Sequence, residues 1–345
     1  MSHMLTEIHQ QPDIVAKLVG EESENAVRLA GEIERRDIRL VVIAARGTSD
    51  HAAIYGKYLM EIRNAIPVAL ADCSVFTLYE ATMRLDDALV IGISQSGEAT
   101  DVAEYLERSK ALGALTLAIT NQPGSQLTRI ADHTILCHAG EERGVAATKT
   151  YTSTLAALYL ISECLTGECS PVEKLSSCAD AMRAALNMQD AIFGKAERYR
   201  YMTSGYALAR GFNYCTALEI ALKLAETSYL GMIGYSAADF LHGPIAAVHE
   251  DQACFLIAPP GKTLRGMADM ATRLRDLKAE TVILSSDEHI LSLATTPFKV
   301  EVELDEELSP LLYIVPAQLF AYRLAVVRGY DPDRPRGLSK VTLTR

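Results

Sequence analysis

Along this chain, short unbroken apolar runs alternate with longer stretches whose apolar positions recur every three or four residues, and the alternation happens twice. Runs of the first kind predict strands buried on both faces, and stretches of the second kind predict amphipathic helices. In the first half, Ile38–Ala44, Val68–Ala71, Ala88–Ser94, Leu115–Thr120 and His133–His138 predict strands. Helices are expected over His51–Glu61, Thr100–Ala111 and Thr150–Leu165. Gly167 to Pro171 breaks the pattern, and a helical connector over Val172–Ala191 follows. The second half restarts with a strand at Arg200–Ser204, a Gly-bearing turn at Gly205 and Gly211, and a helix at Thr216–Leu230. A strand at Ala253–Ala258, a helix at Arg265–Leu277, strands at Thr281–Ser285 and Phe298–Glu303 and a helix at Leu311–Val327 complete it. This order predicts the α/β class, with a parallel sheet between helices in each half. The expected organisation is a linker segment over residues 1–19, a first domain over 20–166, a helical connector over 167–194, a second domain over 195–330 and an irregular tail over 331–345.

Composition narrows the class. The chain has 345 residues, 49% of them hydrophobic and 22% charged, so a full core is expected and broad disorder is not. The net charge of −11 argues against nucleic acid or an anionic membrane as partner. A local site for an anionic small molecule stays open. No apolar run is read as approaching a membrane span, and no secretory signal is read at the start. Met1-Ser2-His3 ahead of Met4 resembles a vector-derived leader and is left out of the expected fold. The seven cysteines (73, 137, 164, 169, 178, 215 and 254) are scattered and odd in number, which suits reduced thiols in a cytoplasmic protein. The eight histidines form no ligand spacing, so neither metal nor cofactor is expected.

The sharpest local signal is the tetrad Ser94-Gln95-Ser96-Gly97, between the apolar run that ends at Ile93 and the helical pattern from Thr100. A strand feeding a polar Gly-containing turn at a helix start is an anion site, because helix N–H groups and the helix dipole favour negative charge there. The loop offers hydroxyls and an amide but no Lys, which suits the phosphate of a small polar molecule better than a nucleotide. Thr48 and Ser49, after Gly47, fall at another strand end, where a second loop can meet the same phosphate. The matching turn of the second half reads Ala258-Pro259-Pro260-Gly261-Lys262-Thr263 and is taken as a surface turn.

The second signal is the helix Thr216–Leu230. It is apolar around most of its circumference, and Glu219, Lys223 and Glu226, at spacings of four and three, share one face. Such a stripe is ordinarily a surface salt bridge. On a helix this apolar it should face a cleft or interface, where desolvation and neighbours tune each group for proton transfer. His242, between Leu241 and Gly243-Pro244, sits in a short loop and is a further candidate.

With these residues in hand, the chain resembles the sugar isomerase (SIS) family, which includes the isomerase half of glucosamine-6-phosphate synthase and stand-alone amino-sugar phosphate deaminases. The resemblance runs from about Glu7 onward. It is carried by Glu7-Ile8-His9-Gln10-Gln11-Pro12, Arg46-Gly47-Thr48-Ser49, Ser94-Gln95-Ser96-Gly97-Glu98, Gly144-Val145-Ala146-Ala147-Thr148-Lys149 and Ala217-Leu218-Glu219 through Glu226. Leu241-His242-Gly243-Pro244, Asp331-Pro332-Asp333-Arg334-Pro335-Arg336 and Leu338-Ser339-Lys340 complete it. It implies two tandem domains, each a flavodoxin-like parallel sheet, and a hexose 6-phosphate ligand.

The resemblance also implies roles. Ser49, Ser94, Gln95 and Ser96 hold the phosphate, with Gly47 and Thr48 beside them; where the family carries a hydroxyl this chain has Ala99, so one hydroxyl is lost unless Thr100 takes its place. Val145 and Ala147 line the sugar; Ala147 stands where the synthase has Ser. Glu226 shuttles the proton between C1 and C2, assisted by Lys223 and Glu219. His242 opens the sugar ring from the neighbouring subunit, so a homodimer is implied. Lys340, on a tail that closes the site, forms an imine with the ketose. Because the chain starts at what the resemblance marks as the linker, without a glutaminase domain, the expected activity is glucosamine-6-phosphate deaminase. The isomerase domain of the synthase is the alternative, and a phosphosugar-binding regulatory module is a third reading.

Overall fold

The computed structural model describes residues 2–167, 171–302 and 304–340. A long helix α1 (His3–Arg35) opens the chain. The first sheet follows, built from β1 (Leu40–Ala44), α2 (Thr48–Arg63), β2 (Val68–Leu70), α3 (Ser74–Thr77), β3 (Ala88–Ile93), α4 (Thr100–Ala111), β4 (Leu115–Thr120), α5 (Gln126–Ile130) and β5 (His133–Leu136). Helices α6 (Lys149–Leu165), α7 (Pro171–Leu186) and α8 (Gln189–Ala196) come next. The second sheet is built from β6 (Ser204–Ala209), α9 (Tyr214–Ser228), β7 (Gly231–Ser236), α10 (Ala237–Leu241), β8 (Ala253–Ile257), α11 (Leu264–Asp276), β9 (Glu280–Ser285), α12 (Glu288–Leu291) and β10 (Thr296–Lys299). Helix α13 (Ser309–Val327) closes the series.

Every strand pairing is parallel, in the orders β2-β1-β3-β4-β5 and β10-β9-β8-β6-β7. Numbered within its own sheet, each has the order 2-1-3-4-5, which is the flavodoxin-like winding. The unbroken apolar runs have the expected cause: β3, β4 and β8 are buried at every position.

By contacts the chain divides into two compact units. The first comprises Asp13–Glu142, Lys149–Ser177 and the stretch from Ser339; the second comprises the start of the chain to Pro12, Arg143–Thr148 and Cys178–Leu338. The cuts fall inside α1 after Pro12 and inside α7 after Ser177, not at residues 19/20 and 166/167. The reason lies in where side chains pack. The strap Arg143–Thr148 belongs with the first residues of α1, where the Glu7 carboxylate accepts the backbone N–H groups of Arg143 and Gly144.

Several expectations are corrected. Residues 3–19 are helix, not linker: Met4, Ile8, Val15 and Leu18 recur at helical spacing and are fully buried, and the helix continues through Pro12. The supposed leader is docked, since the Asp333 carboxylate accepts the Ser2 hydroxyl and the His3 and Met4 N–H groups at 2.8–2.9 Å. The connector is two helices, α7 and α8. The strand expected at Arg200–Ser204 begins where that run ends, and Gly205 lies inside it because a Cβ there would stand 2.7 Å from the Ala253 carbonyl oxygen on β8. Strand β7, an exposed sheet edge with no clean alternation, escaped sequence reading. The last strand is Thr296–Lys299, and Glu303, at the end of the expected one, lies outside the described residues, as do Cys169 and 341–345 of the tail. Finally, one helical stretch, Glu306–Val327, is long and apolar enough to cross a membrane by length and composition; 78% of its most apolar window is buried, so it serves as a core helix.

Strand β7 runs close against the backbone of α9. A Cβ on Gly234 would stand 2.8 Å from the Leu218 Cα, whereas one on Gly231 meets nothing nearer than 3.6 Å. Gly234→Ala is therefore expected to destabilise the fold by about 1–3 kcal/mol. Gly231→Ala, the control, should leave the calorimetric midpoint nearly unchanged.

Candidate functional site

Strands β1 and β3 are neighbours at the point where the first sheet reverses its winding, and ligands in such sheets sit beyond the strand carboxyl ends there. Two loops leave those ends. After β1, Gly47 takes φ +54° and opens α2, whose start has no side-chain cap; Thr48 and Ser49 follow, half-buried. After β3, Ser94 is buried and folds the tetrad back on itself. The Gly97 N–H donates to the Ser94 carbonyl at 3.1 Å and to its Oγ at 3.2 Å, and the Glu98 N–H donates to Ser96 Oγ at 3.3 Å. Gly97 has φ +66°, and a Cβ there would fall 2.1 Å from Ser125 Oγ, so only glycine fits. The Asn121 N–H ties the Gln95 carbonyl to the end of β4.

Helix α4 begins after Ala99 without a side-chain cap, and Thr100 is exposed at its first position. Two helix starts without side-chain caps, flanked by hydroxyls, make an anion-binding arrangement. Arg46 joins the loops, its Nε donating to the buried Asp101 carboxylate at 2.8 Å.

The corresponding loop of the second unit, after β8, carries its own anion. The Glu306 carboxylate accepts the Lys262 N–H at 3.0 Å and the Thr263 hydroxyl at 3.4 Å, and lies where a Cβ on Gly261 would be. An internal carboxylate thus packs into this loop, and Gly261 and Lys262 are exposed, as expected of a surface turn.

On the strap, Val145 and Ala147 are half-buried while Gly144, Ala146 and Thr148 between them are buried, so the two candidates share the more open face.

Helix α9 carries the charged stripe in the second unit. Glu219 and Lys223 are fully buried, and the Glu226 side chain keeps 19% of its surface exposed. Lys223 Nζ lies 3.3 Å from Glu219 Oε1 and 2.6 Å from Glu226 Oε2. Burial alone would push the Lys223 pKa down. The two carboxylates outweigh it and hold the pKa above its ordinary value, so the side chain is an ammonium at neutral pH. Of the three charged groups, Glu226 is the one that keeps contact with solvent.

The helix ends at Tyr229, in the left-handed conformation at φ +55°. The Tyr229 hydroxyl accepts the Arg336 N–H at 3.0 Å, and the Arg336 guanidinium lies 3.8 Å from the ring centroid. With Asp333 on the start of α1, this pins the tail at two points. His242 follows α10, exposed, and the structure does not bring it into the α9 stripe. In the first unit Lys340 Nζ donates to Glu142 Oε2 at 2.9 Å, and the same carboxylate accepts the Thr150 N–H and hydroxyl.

Sequence reasoning missed Glu142, Tyr229, Asp333 and Arg336. Only the last two stood in a quoted motif, and nothing in residue spacing pairs Glu142 with a lysine almost two hundred positions away. The buried thiols are set apart from chemistry: desolvation pushes Cys73 and Cys137 up to about 11 and Cys178 and Cys254 up to about 12.

Two parallel sheets of one winding, one with hydroxyl-rich loops at its carboxyl edge and the other with a buried ion triad beside it, define a tandem α/β protein. The SIS domain model matches residues 35–163 and 204–328, and the chain belongs to that family. The glutamine–fructose-6-phosphate aminotransferase [isomerizing] of Methanothermobacter thermautotrophicus is 38% identical over 98% of this chain and 56% of its own length. That of Pyrococcus horikoshii is 37% identical, over 98% and 57%. The chain thus spans somewhat more than half the length of these relatives. Among solved structures, the C-terminal domain of the glucosamine-fructose-6-phosphate aminotransferase of Francisella tularensis aligns at TM-score 0.87 and 26% identity, covering 97% of this chain and 98% of that one. A glucosamine-6-phosphate deaminase of Thermotoga maritima aligns at TM-score 0.81 and 22% identity, over 99% and 100%, a likeness of fold.

Removing Lys223 leaves Glu219 buried without its counter-charge, so Lys223→Met is expected to destabilise the protein by about 3–5 kcal/mol. Adding Glu219→Gln should recover part of that loss in chemical denaturation. Because the folded-state pKa of Lys223 is raised, its contribution is complete below the ordinary value of 10.5 and is lost as pH rises through the folded value. The gap between wild type and Lys223→Met should accordingly hold steady from neutral pH to pH 9 and narrow only in strong alkali.

Proposed function

We propose that this chain interconverts the ketose and aldose forms of a hexose 6-phosphate, the step named in the isomerizing aminotransferases it resembles. The observation that carries the reading is the Glu219–Lys223–Glu226 triad: a buried ammonium clamping one open carboxylate on an apolar helix. Aldose–ketose exchange needs a base that moves one proton between C1 and C2, with no change of redox state. Glu226 is that base. Lys223 orients it and offers positive charge to the oxygen on which the enediol charge develops, and Glu219 holds Lys223 in place.

Ser49, Ser94, Gln95 and Ser96 bind the phosphate with Gly47, Thr48 and Thr100, and Val145 and Ala147 flank the sugar. His242 opens the ring in the neighbouring subunit of a homodimer. Lys340 forms an imine with the ketose.

The sense of the reaction follows the aminotransferases rather than the deaminase that the sequence first suggested. Identity of 37–38% over nearly the whole chain supports the former, while the deaminase match, at 22%, supports the fold alone.

Fructose 6-phosphate in deuterated water tests this by mass spectrometry: the protein should place deuterium at C1 and form the aldose. Glu226→Gln should slow exchange by about 100- to 10,000-fold. Equal exchange in wild type and variant would reject the reading. Ser94→Ala should raise KM about tenfold, since a hydrogen bond to a charged group contributes about 1.5–3 kcal/mol. Sedimentation should give a dimer; a fully active monomer would remove His242 from its assigned role.

A further inference from the structure

We infer that Glu142 is the proton acceptor that prepares Lys340 for attack on the keto carbon, an inference that rests on the imine role proposed for Lys340. The Glu142 side chain is fully buried. Its Oε1 accepts the Thr150 N–H at 3.1 Å, and its Oε2 accepts the Thr150 hydroxyl at 2.8 Å and the Lys340 ammonium at 2.9 Å. Thr150 belongs to the first turn of α6, so the carboxylate sits at a helix N-terminus where the dipole favours the anion. A buried carboxylate needs a positive partner, and the chain brings one from its tail. The two bonds from Thr150, one to each oxygen, fix the carboxylate that faces the amine, and Lys340 keeps 28% of its own surface exposed. The lysine is held on one side and open on the other.

The chemistry requires such a partner. An ammonium has no lone pair and cannot attack a carbonyl. Transfer of one proton from Lys340 Nζ to Glu142 Oε2 gives a neutral amine and a carboxylic acid. The amine lone pair forms the N–C2 bond while the C2–O π pair moves onto oxygen. A second N–H proton passes to that oxygen, giving the carbinolamine. Glu142 then returns its proton to the hydroxyl, which leaves as water as the nitrogen lone pair closes the C=N bond. The sum is ammonium plus ketone giving protonated imine plus water, with Glu142 restored and no oxidant or reductant consumed. A carboxylate fixed by Thr150 is pre-positioned for both transfers, which a purely structural ion pair would not need to be.

The test is reductive trapping. The protein is mixed with fructose 6-phosphate and cyanoborohydride, and the adduct on the Lys340 peptide is followed by mass spectrometry. Glu142→Gln, which keeps shape and polarity but cannot take the proton, should slow trapping at least tenfold at neutral pH while KM for fructose 6-phosphate stays within about twofold. Glu142→Asp, which keeps the charge but withdraws it, should fall between the two. Should Glu142→Gln fail to fold, judged by its circular dichroism melt, a Glu142→Asp rate equal to wild type overturns the inference, as does an unslowed Glu142→Gln. Absence of any adduct in the wild type removes the imine role and this inference together. Deuterium exchange at C1, read in the same sample, then reports separately on the isomerase reading.

Discussion

An ammonium with no surface exposed, wedged between two carboxylates on one helix, is the constraint on which the packing around α9 turns. Moving Lys223 out of water is costly, and only the paired charges of Glu219 and Glu226 make it tolerable. Each member fixes the others: Glu219 anchors the lysine, the lysine orients Glu226, and Glu226 alone keeps access to solvent. The apolar circumference of α9 makes the arrangement rigid, because β7 and α13 pack against the same helix.

The two sheets share one winding but not the same loops. At the carboxyl ends of β1 and β3, glycines at positive φ and serine hydroxyls surround helix starts without side-chain caps. At the equivalent edge of the second sheet, Glu306 already occupies the loop. The same winding therefore carries serine hydroxyls in the loops of one copy and an internal carboxylate in the loop of the other.

Much of this was legible in the residues. Strands β3, β4 and β8 and helices α4 and α6 were readable to within a residue or so, because a strand covered on both faces writes a continuous apolar run and a covered helix writes its period. The edge strand β7 was not, because half-exposed positions such as Ile233 carry no pattern. Gly205 was misread as a turn because close approach of two backbones and a reversal of chain direction both select glycine. The Ser94–Gly97 tetrad and the α9 stripe were visible locally, since a polar Gly turn between strand and helix and charges at spacings of four and three are both local patterns. Glu142 with Lys340 and Tyr229 with Arg336 were invisible, since only the folded chain brings such distant positions together.

The carboxylate of Asp333 also bears on protein engineering. By gripping Ser2, His3 and Met4, it makes the first residues and the tail neighbours in space. A change at either end is therefore felt at the other. Replacing Asp333 would thus unfasten both ends at once, because one carboxylate is the clasp they share.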